Sequence, residues 1–315
     1  MSGLSRRRFL AAGAAGAAGV AAAGLCSPGK ASAAARLEGY PEGMGVLVDF
    51  TKCVGCRSCE AACNKEHGLP APAQPFDDRS VFDQRSHNGQ PRRPDENTFT
   101  VVNRYDTAAG GPVYRKIQCN HCNEPACLTS CFVNAYTKTK EGAVVYNGDV
   151  CVGCRMCMTA CPFYVPGYSY SSAYNPLIVK CNFCHDKRLV HGRPPACVEA
   201  CPQEALTFGH RKELIRIGHD RIRQNPDRYV NHIYGEKEVG GTAWMYLSNV
   251  PFEQVAFDTT LQTEPIINNV KDFLGMVPVV LGVWPALFAG MHLLATKGKE
   301  HGDAGHAGSD DGEER

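Results

Sequence analysis

Four runs of closely spaced cysteines are the residues in this chain whose type and spacing could do chemistry. In chain order the runs comprise Cys53, Cys56, Cys59 and Cys63; Cys119, Cys122, Cys127 and Cys131; Cys151, Cys154, Cys157 and Cys161; and Cys181, Cys184, Cys197 and Cys201. A tight loop with such spacing can point successive thiolates at neighbouring irons of one iron–sulfur cube, and the fourth cysteine of a run usually reaches a second cube. The spacing therefore predicts iron–sulfur clusters.

The cysteine count matches four clusters of this kind. The chain has 17 cysteines, and all but Cys26 fall into the four runs, which supplies four thiolates for each of four cubes. Paired Cys-x2-Cys motifs also make tetrahedral zinc sites, and an exported protein could use its cysteines in disulfides. Zinc sites usually join two separate Cys-x2-Cys knuckles, and cysteines this close together are poorly placed to pair with distant partners. Both alternatives therefore fit the spacing less well than iron–sulfur clusters.

Short secondary-structure elements are expected around the cysteine runs. Residues 45–50 predict a strand that enters the first run, and residues 57–67 predict a helix carrying its last two cysteines. Further expected elements are strands at 98–105, 112–117, 142–149 and 205–208, a helix at 210–223, and a turn and a strand without assignable chemistry at 234–242 and 244–252. The first two runs have Asn64 and Phe132 where the others have proline, so we expect their ends to differ in shape.

A long loop is expected after the first run. Residues 64–98 are rich in Pro, Asp, Arg and Gln and have no hydrophobic period. Long ordered loops within compact domains tend to be functional. We expect this loop to dock onto a partner subunit, with a solvated insertion as the alternative.

The N-terminus has the features of a twin-arginine export signal. Arg6, Arg7 and Arg8 precede Phe-Leu, an Ala/Gly-rich hydrophobic segment and a small-residue site at 31–33. Clusters are assembled in the reducing cytoplasm, so we expect the twin-arginine translocase to export the folded protein and residues 1–33 to be removed. The mature chain then has 29 basic and 32 acidic residues. Its net charge of −3 gives no indication of nucleic-acid binding.

One apolar segment near the C-terminus is long enough to cross a membrane. Residues 273–295 contain no charged side chain, and a helix of this length spans about 34 Å. We expect a transmembrane helix at 271–296 and a disordered tail at 297–315. Lys297 and Lys299 follow the helix and favour a cytoplasmic C-terminus. His292, close to this basic end, is expected to be interfacial rather than a haem ligand.

The chain resembles a known family over nearly its whole length. The second and third runs are similar to a bacterial two-cluster ferredoxin, and the four runs together resemble the four-cluster subunits of formate dehydrogenase, dimethyl sulfoxide reductase and nitrate reductase. The export signal, the segments 234–242 and 250–253, the single membrane helix and the polar tail resemble one branch: the periplasmic iron–sulfur subunit of membrane-bound nickel–iron hydrogenase-2. Cys157 is present where some nitrate reductase relatives have tryptophan, so four complete cubes are expected.

The resemblance implies a fold class and a ligand scheme. It implies an α+β protein in which residues 34–270 form two nested bacterial-ferredoxin-like units with long loops: an inner unit at 112–175 and an outer unit at 45–68 with 176–225. It also implies that the fourth cysteine of each run crosses to the partner run, giving four [4Fe-4S] sites. Their ligands are Cys53, Cys56, Cys59 and Cys201 (site 1); Cys119, Cys122, Cys127 and Cys161 (site 2); Cys151, Cys154, Cys157 and Cys131 (site 3); and Cys181, Cys184, Cys197 and Cys63 (site 4).

The function implied by the resemblance is electron transfer rather than catalysis by this chain alone. The sequence contains no recognisable nucleophile–base pair, phosphate loop or mononuclear catalytic metal motif. The implied partners are the large and small subunits of a hydrogenase and an integral membrane subunit that reduces quinone, on the periplasmic face of the cytoplasmic membrane. The alternatives are the same relay beside a molybdenum-containing respiratory oxidoreductase, such as formate dehydrogenase, and a non-redox zinc or scaffold protein.

Overall fold

Nine short strands and six α-helices make up the part of the chain that the computed structural model describes, residues 43–83, 91–108, 111–170 and 177–303. The strands are β1 (Met44–Asp49), β2 (Val101–Asp106), β3 (Pro112–Ile117), β4 (Tyr136–Lys138), β5 (Val144–Tyr146), β6 (Gly167–Tyr168), β7 (Ile178–Val179), β8 (Leu206–His210) and β9 (Trp244–Leu247). The helices are α1 (Ser58–His67), α2 (Ala126–Thr129), α3 (Met156–Ala160), α4 (Ala196–Glu199), α5 (Arg211–Gln224) and α6 (Asn268–Asp303). The mixture agrees with the expected α+β class; the expected signal peptide, residues 1–33, lies outside the described residues.

A three-stranded sheet in the order β8–β1–β9 forms the centre of the domain. β1 runs antiparallel to β8 and parallel to β9, so Val46 pairs with Phe208 on one side and with Trp244 on the other. Residues 45–49 of β1 are all buried because one face of the sheet packs on α5 and the other on aromatic side chains. A strand buried on both faces shows no apolar–polar alternation, as the sequence of β1 illustrates.

Helix α5 covers one face of this sheet. Its buried positions Leu214, Gly218 and Ile222 recur at intervals of four residues, which is the spacing of one helix face. A Cβ atom on Gly218 would lie 2.7 Å from Cδ1 of Ile233, so a larger residue there would require the Ile233 side chain to move. The amphipathic helix expected from the sequence is therefore confirmed, within one residue at either end.

The opposite face of the sheet is packed by aromatic residues from the segment after α5. The rings of Tyr234 and Phe257 lie 4.3 Å apart between centroids, and Phe252 packs against both. The guanidinium of Arg115 lies 3.5 Å above the ring of Phe257. The sequence assigned no role to this segment, and the expected outer unit ended at residue 225. In the structure the segment supplies β9 and much of the core.

The helices that carry cysteines pack in two pairs. α1 packs against α4, which joins the first and fourth runs, and α2 packs against α3, which joins the second and third runs. Antiparallel hairpins β2–β3, β4–β5 and β6–β7 lie between the runs. β3 pairs with β2, which precedes the expected inner unit, and β7 of the expected outer unit pairs with β6 of the inner unit.

The long loop expected after the first run begins later than predicted, because α1 continues to His67. The described part of the loop folds back onto α1. Buried Glu60 of α1 pairs with Arg57 at 3.0 Å and with loop residue Arg92 at 2.9 Å. Loop residue Phe82 is also buried, beside Cys59 and Tyr114. This part of the loop is therefore anchored on α1 at these points, whereas residues 70–80 are exposed or half-buried, and its docking role stays a prediction.

Helix α6 is the one helix, among the described residues, that is long and apolar enough to cross a membrane. Its large apolar side chains that the structure describes are exposed, for example Phe273, Leu281 and Trp284. The helix begins three residues before the expected span at 271–296 and continues to Asp303. The first residues of the expected disordered tail are therefore helical, because nothing in their backbone pattern ends the helix; residues 304–315 lie outside the described residues.

Candidate iron–sulfur sites

The loops of the first and third runs have the same backbone conformation. Each reads Cys-Val-Gly-Cys-Arg-x-Cys, and both glycines and both arginines have positive φ: 68° at Gly55, 61° at Arg57, 69° at Gly153 and 63° at Arg155. A Cβ atom on Gly55 would lie 2.3 Å from the ring of Tyr114, so this position excludes other residues. The repeated left-handed residues curl each loop so that its three thiols face one side.

The Cys-x2-Cys loops of the second and fourth runs form a second matched pair. Both read Cys-Asn-x-Cys, and the variable residues, His121 and Phe183, have φ values of 48° and 64°. Both side chains are fully buried and their rings stack on each other. Cys119 and Cys181, at the start of the two loops, are close enough for the charge of one thiolate to act on the other. The second and fourth runs are therefore neighbours.

The chain turns in the same way after the last cysteine of three runs. The third residue beyond that cysteine has positive φ in the second, third and fourth runs: 53° at Asn134, 51° at Tyr164 and 47° at Glu204. The expectation that Phe132 would give the second run a different end is wrong, because the turn depends on this left-handed residue rather than on the proline. The expectation is confirmed for the first run, where α1 continues past Cys63 and ends before Gly68.

The four cysteines predicted for site 1 line one cavity. Its wall consists largely of apolar groups, including Val48, Val102 and Leu206, and its polar lining includes Lys116 and Gln203. Cys201 from the fourth run acts electrostatically on Cys53 of the first run. The structure thus brings together side chains that are far apart in the sequence.

The four cysteines predicted for site 2 line a second cavity. Pro125, Val144, Phe163 and Val165 form most of its wall, and Lys180 is its charged residue. The second run provides three of the cysteines and the third run provides Cys161. The same exchange of a fourth cysteine occurs here as in site 1.

The cysteines predicted for sites 3 and 4 are also grouped. Cys63 lies within electrostatic reach of Cys181, Cys197 and Cys184. Cys157 is influenced by Cys151 and Cys154. Cys131 packs with Cys151 and Cys157 in one apolar cluster. The cysteines thus form groups that are compatible with the ligand scheme implied by the resemblance, and the scheme itself stays a prediction.

Backbone N–H groups donate hydrogen bonds to several of the cysteine sulfurs. Ala135 donates to Sγ of Cys131 at 3.2 Å, and Phe183 donates to Sγ of Cys181 at 3.4 Å. Gly153 donates likewise to the sulfur of Cys151 at 3.4 Å. Such bonds stabilise the thiolate form, which is the form that binds iron, and they tune cluster potentials.

Burial has the opposite effect on other cysteine thiols of these sites. Burial raises the pKa of Cys53 and of Cys184 to about 11, and that of Cys127 to about 12, because the charged thiolate is poorly solvated there. Without iron these groups are therefore protonated at neutral pH. Metal binding must displace these protons, so cluster insertion is coupled to proton release.

The arrangement fits a cluster better than a single ion. In the described part of the chain, no three His, Cys, Asp or Glu side chains converge as ligands of one metal ion would. A tetrahedral zinc site needs four ligands at about 2.0–2.3 Å from one point. Thiols spread around the wall of a cavity can instead bind the separate irons of a cube.

Comparisons with known proteins agree with this chemistry. Residues 113–211 match the family model of a 4Fe-4S dicluster domain. A protein of Nitratidesulfovibrio vulgaris is 52% identical over 94% of this chain and 78% of its own length. The hydrogenase-2 operon protein HybA of Escherichia coli O157:H7 is 33% identical over 98% of this chain and 100% of its own length. The iron–sulfur subunit of nitrate-inducible formate dehydrogenase from Escherichia coli K12 is 27% identical over 81% of this chain and 85% of its own length.

Proposed function

Because the chain belongs to the family of iron–sulfur subunits that includes the hydrogenase-2 operon protein HybA, we propose that it relays electrons from a hydrogenase into the membrane. The hydrogenase large and small subunits deliver the electrons, and an integral membrane subunit that reduces quinone accepts them. The end-to-end match with HybA carries this proposal, because it includes both ends of the chain as well as the cysteine runs.

Each of sites 1 to 4 holds one [4Fe-4S] cluster through its four cysteines. The shared cavities of sites 1 and 2 and the electrostatic neighbours within sites 3 and 4 support this ligand scheme. When bound, the clusters supply one-electron transfer. The apolar cavity walls exclude water, and the backbone N–H groups stabilise the charge on the thiolates.

The contacts between the runs support an order 1, 4, 2 and 3 of the sites along the relay. Sites 1 and 4 share the α1–α4 pair, and sites 2 and 3 share the α2–α3 pair. The stacked rings of His121 and Phe183 lie where sites 4 and 2 meet. Of the sixteen cysteines, only Cys56 of site 1 and Cys154 of site 3 are exposed. Exposure at the two ends supports entry of electrons at one end and exit at the other.

Helix α6 anchors the protein in the membrane. Exposed Phe273, Leu281 and Trp284 give it an apolar surface that water solvates poorly. The basic residues after the apolar span favour a C-terminus in the cytoplasm. The four-site domain then lies on the periplasmic face, which agrees with export of the folded protein by the twin-arginine translocase.

A second candidate is the same relay in a formate dehydrogenase-like complex. The likeness to the formate dehydrogenase iron–sulfur subunit covers most of the chain and supports this alternative. Both candidates need the same four sites and the same anchor. They differ only in the catalytic subunits that deliver the electrons.

Purification of the complex tests the proposal. A tagged chain is isolated from detergent-solubilised membranes, its partners are identified, and its paramagnetic signals are recorded under hydrogen and under formate. We expect hydrogenase subunits to co-purify and hydrogen to reduce the signals. Reduction by formate alone, with a formate-oxidising partner, would favour the second candidate. A complex without reducible iron–sulfur signals would exclude both candidates and favour a zinc or scaffold protein.

A further inference from the structure

Lys116 is a buried lysine with only neutral hydrogen-bonding partners. Its side chain lies on β3 and is 3% exposed. Its Nζ atom donates hydrogen bonds to Oγ1 of Thr100 and to Oε1 of Gln118, the latter at 3.3 Å. The same atom lies 5.0 Å from the ring centroid of Trp244. These contacts hold the ammonium group in one position.

The anionic groups around Lys116 are cysteines of two different sites. Cys59 belongs to site 1, whereas Cys63, Cys181 and Cys197 belong to site 4. Lys116 lines the cavity of site 1, and its ammonium lies beside Trp244, whose ring packs on Phe183 between Cys181 and Cys184 of site 4. None of the ion pairs between described residues includes Lys116. Since a buried charge without a counter-charge is strongly unfavourable, the thiolates of loaded sites are its natural counterions.

We propose that Lys116 is a positioning residue that raises the reduction potentials of the clusters in sites 1 and 4 together. The inference rests on the proposed function, because it requires clusters at both sites. Reduction adds a negative charge, and a fixed positive charge close by stabilises the reduced form. The effect is strong because Lys116 is buried, where a charge is screened less than at the surface. A single charge that acts on both sites shifts their two potentials together.

The test measures the potential of each cluster in the intact complex. Lys116→Met removes the charge and keeps a side chain of similar length, and Lys116→Arg keeps the charge. Lys212→Met is the matched control, because it removes the same charge from an exposed position on α5. The readouts are iron content and a redox titration followed by electron paramagnetic resonance at low temperature.

We expect Lys116→Met to move two of the four titration components to more negative potentials and to leave the other two unchanged. Lys116→Arg and Lys212→Met should titrate like the wild type. Unchanged potentials in a fully loaded Lys116→Met protein, or an equal shift of all four components, would overturn the proposal.

Loss of clusters is also informative. If Lys116→Met loses clusters and Lys116→Arg keeps them, the potentials are measured in Lys116→Gln, a neutral polar replacement, and wild-type potentials in that loaded variant would overturn the proposal. If both variants lose clusters, Lys116 is a packing residue and the proposal is wrong. A wild-type protein without reducible clusters would contradict the proposed function itself, which is a separate outcome.

Discussion

The imidazole of His121 stacks on the phenyl ring of Phe183, with the ring centroids 4.9 Å apart and the ring planes inclined by 20°. Nδ1 of His121 accepts a hydrogen bond from the backbone N–H of Val144 at 2.9 Å, which fixes the imidazole. Phe183 also packs against Trp244 of the central sheet. This contact therefore joins the second run, the fourth run and the core.

Phe183→Ala should weaken the contact that joins the second run, the fourth run and the core. Removing a fully buried phenyl ring leaves a cavity, so we expect the free energy of unfolding to fall by about 3–5 kcal/mol. Anaerobic denaturant titration of the loaded protein measures the change. Phe132→Ala is the control, because Phe132 is 70% exposed and its loss should change stability by less than about 0.5 kcal/mol. Equal effects of the two substitutions would contradict the role of the stacked pair.

Exchange of the fourth cysteine between runs can be tested with pairs of ligand variants. Cys201→Ser and Cys56→Ser should alter the same paramagnetic signal, because both residues line the cavity of site 1. Cys184→Ser should alter a different signal, although Cys184 belongs to the same run as Cys201. A common signal for Cys201→Ser and Cys184→Ser would mean that each run binds its own cluster and that the scheme of sites 1 to 4 is wrong.

Export should depend on the first two arginines of the N-terminal signal. The double substitution Arg6→Lys and Arg7→Lys should leave a folded, cluster-loaded protein in the cytoplasm, because the translocase recognises the arginine pair. Arg8→Lys, at the following position, is the control and should be exported normally. Cell fractionation measures the outcome, and normal periplasmic delivery of the double variant would refute the assignment.

The pair His232–Glu238 should make stability depend on pH. Nε2 of His232 and Oε1 of Glu238 are 2.7 Å apart, and the hydrogen bond to Glu238 raises the pKa of His232 above 6.5. Burial raises the pKa of Glu238, but bonds from His232 and backbone N–H groups outweigh it and keep that pKa below 4.5. The contribution of His232 to the free energy of unfolding is complete below pH 6.5. It is lost as the pH rises through the pKa that His232 has in the folded protein. The contribution of Glu238 to the free energy of unfolding is present above pH 4.5. It is lost as the pH falls through the pKa that Glu238 has in the folded protein.

The stability difference between wild type and His232→Gln should therefore be largest between about pH 4.5 and 6.5 and decrease toward pH 8. Denaturant unfolding at a series of pH values measures this difference. His219→Gln is a comparison at another histidine–glutamate pair, where His219 lies 3.0 Å from Glu236 near the surface. A pH-independent difference for His232→Gln would show that the pair is not charged in the folded protein.

Removal of α6 should leave cluster assembly intact but weaken electron transfer to the membrane subunit. A chain that ends at Asn269 keeps all sixteen cysteines, β1 to β9 and the aromatic core. We expect normal iron content, release into the periplasm and normal activity with a soluble artificial acceptor. Quinone reduction should fall because the anchor no longer keeps the domain at a high effective concentration near its partner. Loss of iron from the truncated protein would mean that α6 belongs to the folded domain.

The sequence predicted correctly the elements whose signals lie within a short stretch of the chain. The cysteine runs predicted which loops line the candidate sites, and the apolar segment at 45–50 and the amphipathic pattern at 210–223 correspond to β1 and α5. These signals are local, because a spacing or a hydrophobic period is contained within one element.

The features that could not be predicted from the sequence depend on contacts between distant segments. The pattern of Trp244 to Leu247 does not reveal that its partner is β1, because a strand buried on both faces has no characteristic period. Lys116 was missed for the same reason, since its role depends on two runs that approach it from different parts of the chain. Its one local signal was a charged residue in a strand that leads directly into Cys119.

The parallel pairing of β1 with β9 also determines the order in which the protein can mature during synthesis. β1 emerges from the ribosome early, but β9 follows after every cysteine of the four runs has been made. Sites 2 and 3 lie within one continuous stretch of chain and can form while translation continues. The core beside site 1 is complete only when residue 257 has been synthesised. The first cysteines to be translated are therefore among the last to be enclosed, and until then they depend on the cell to keep them reduced.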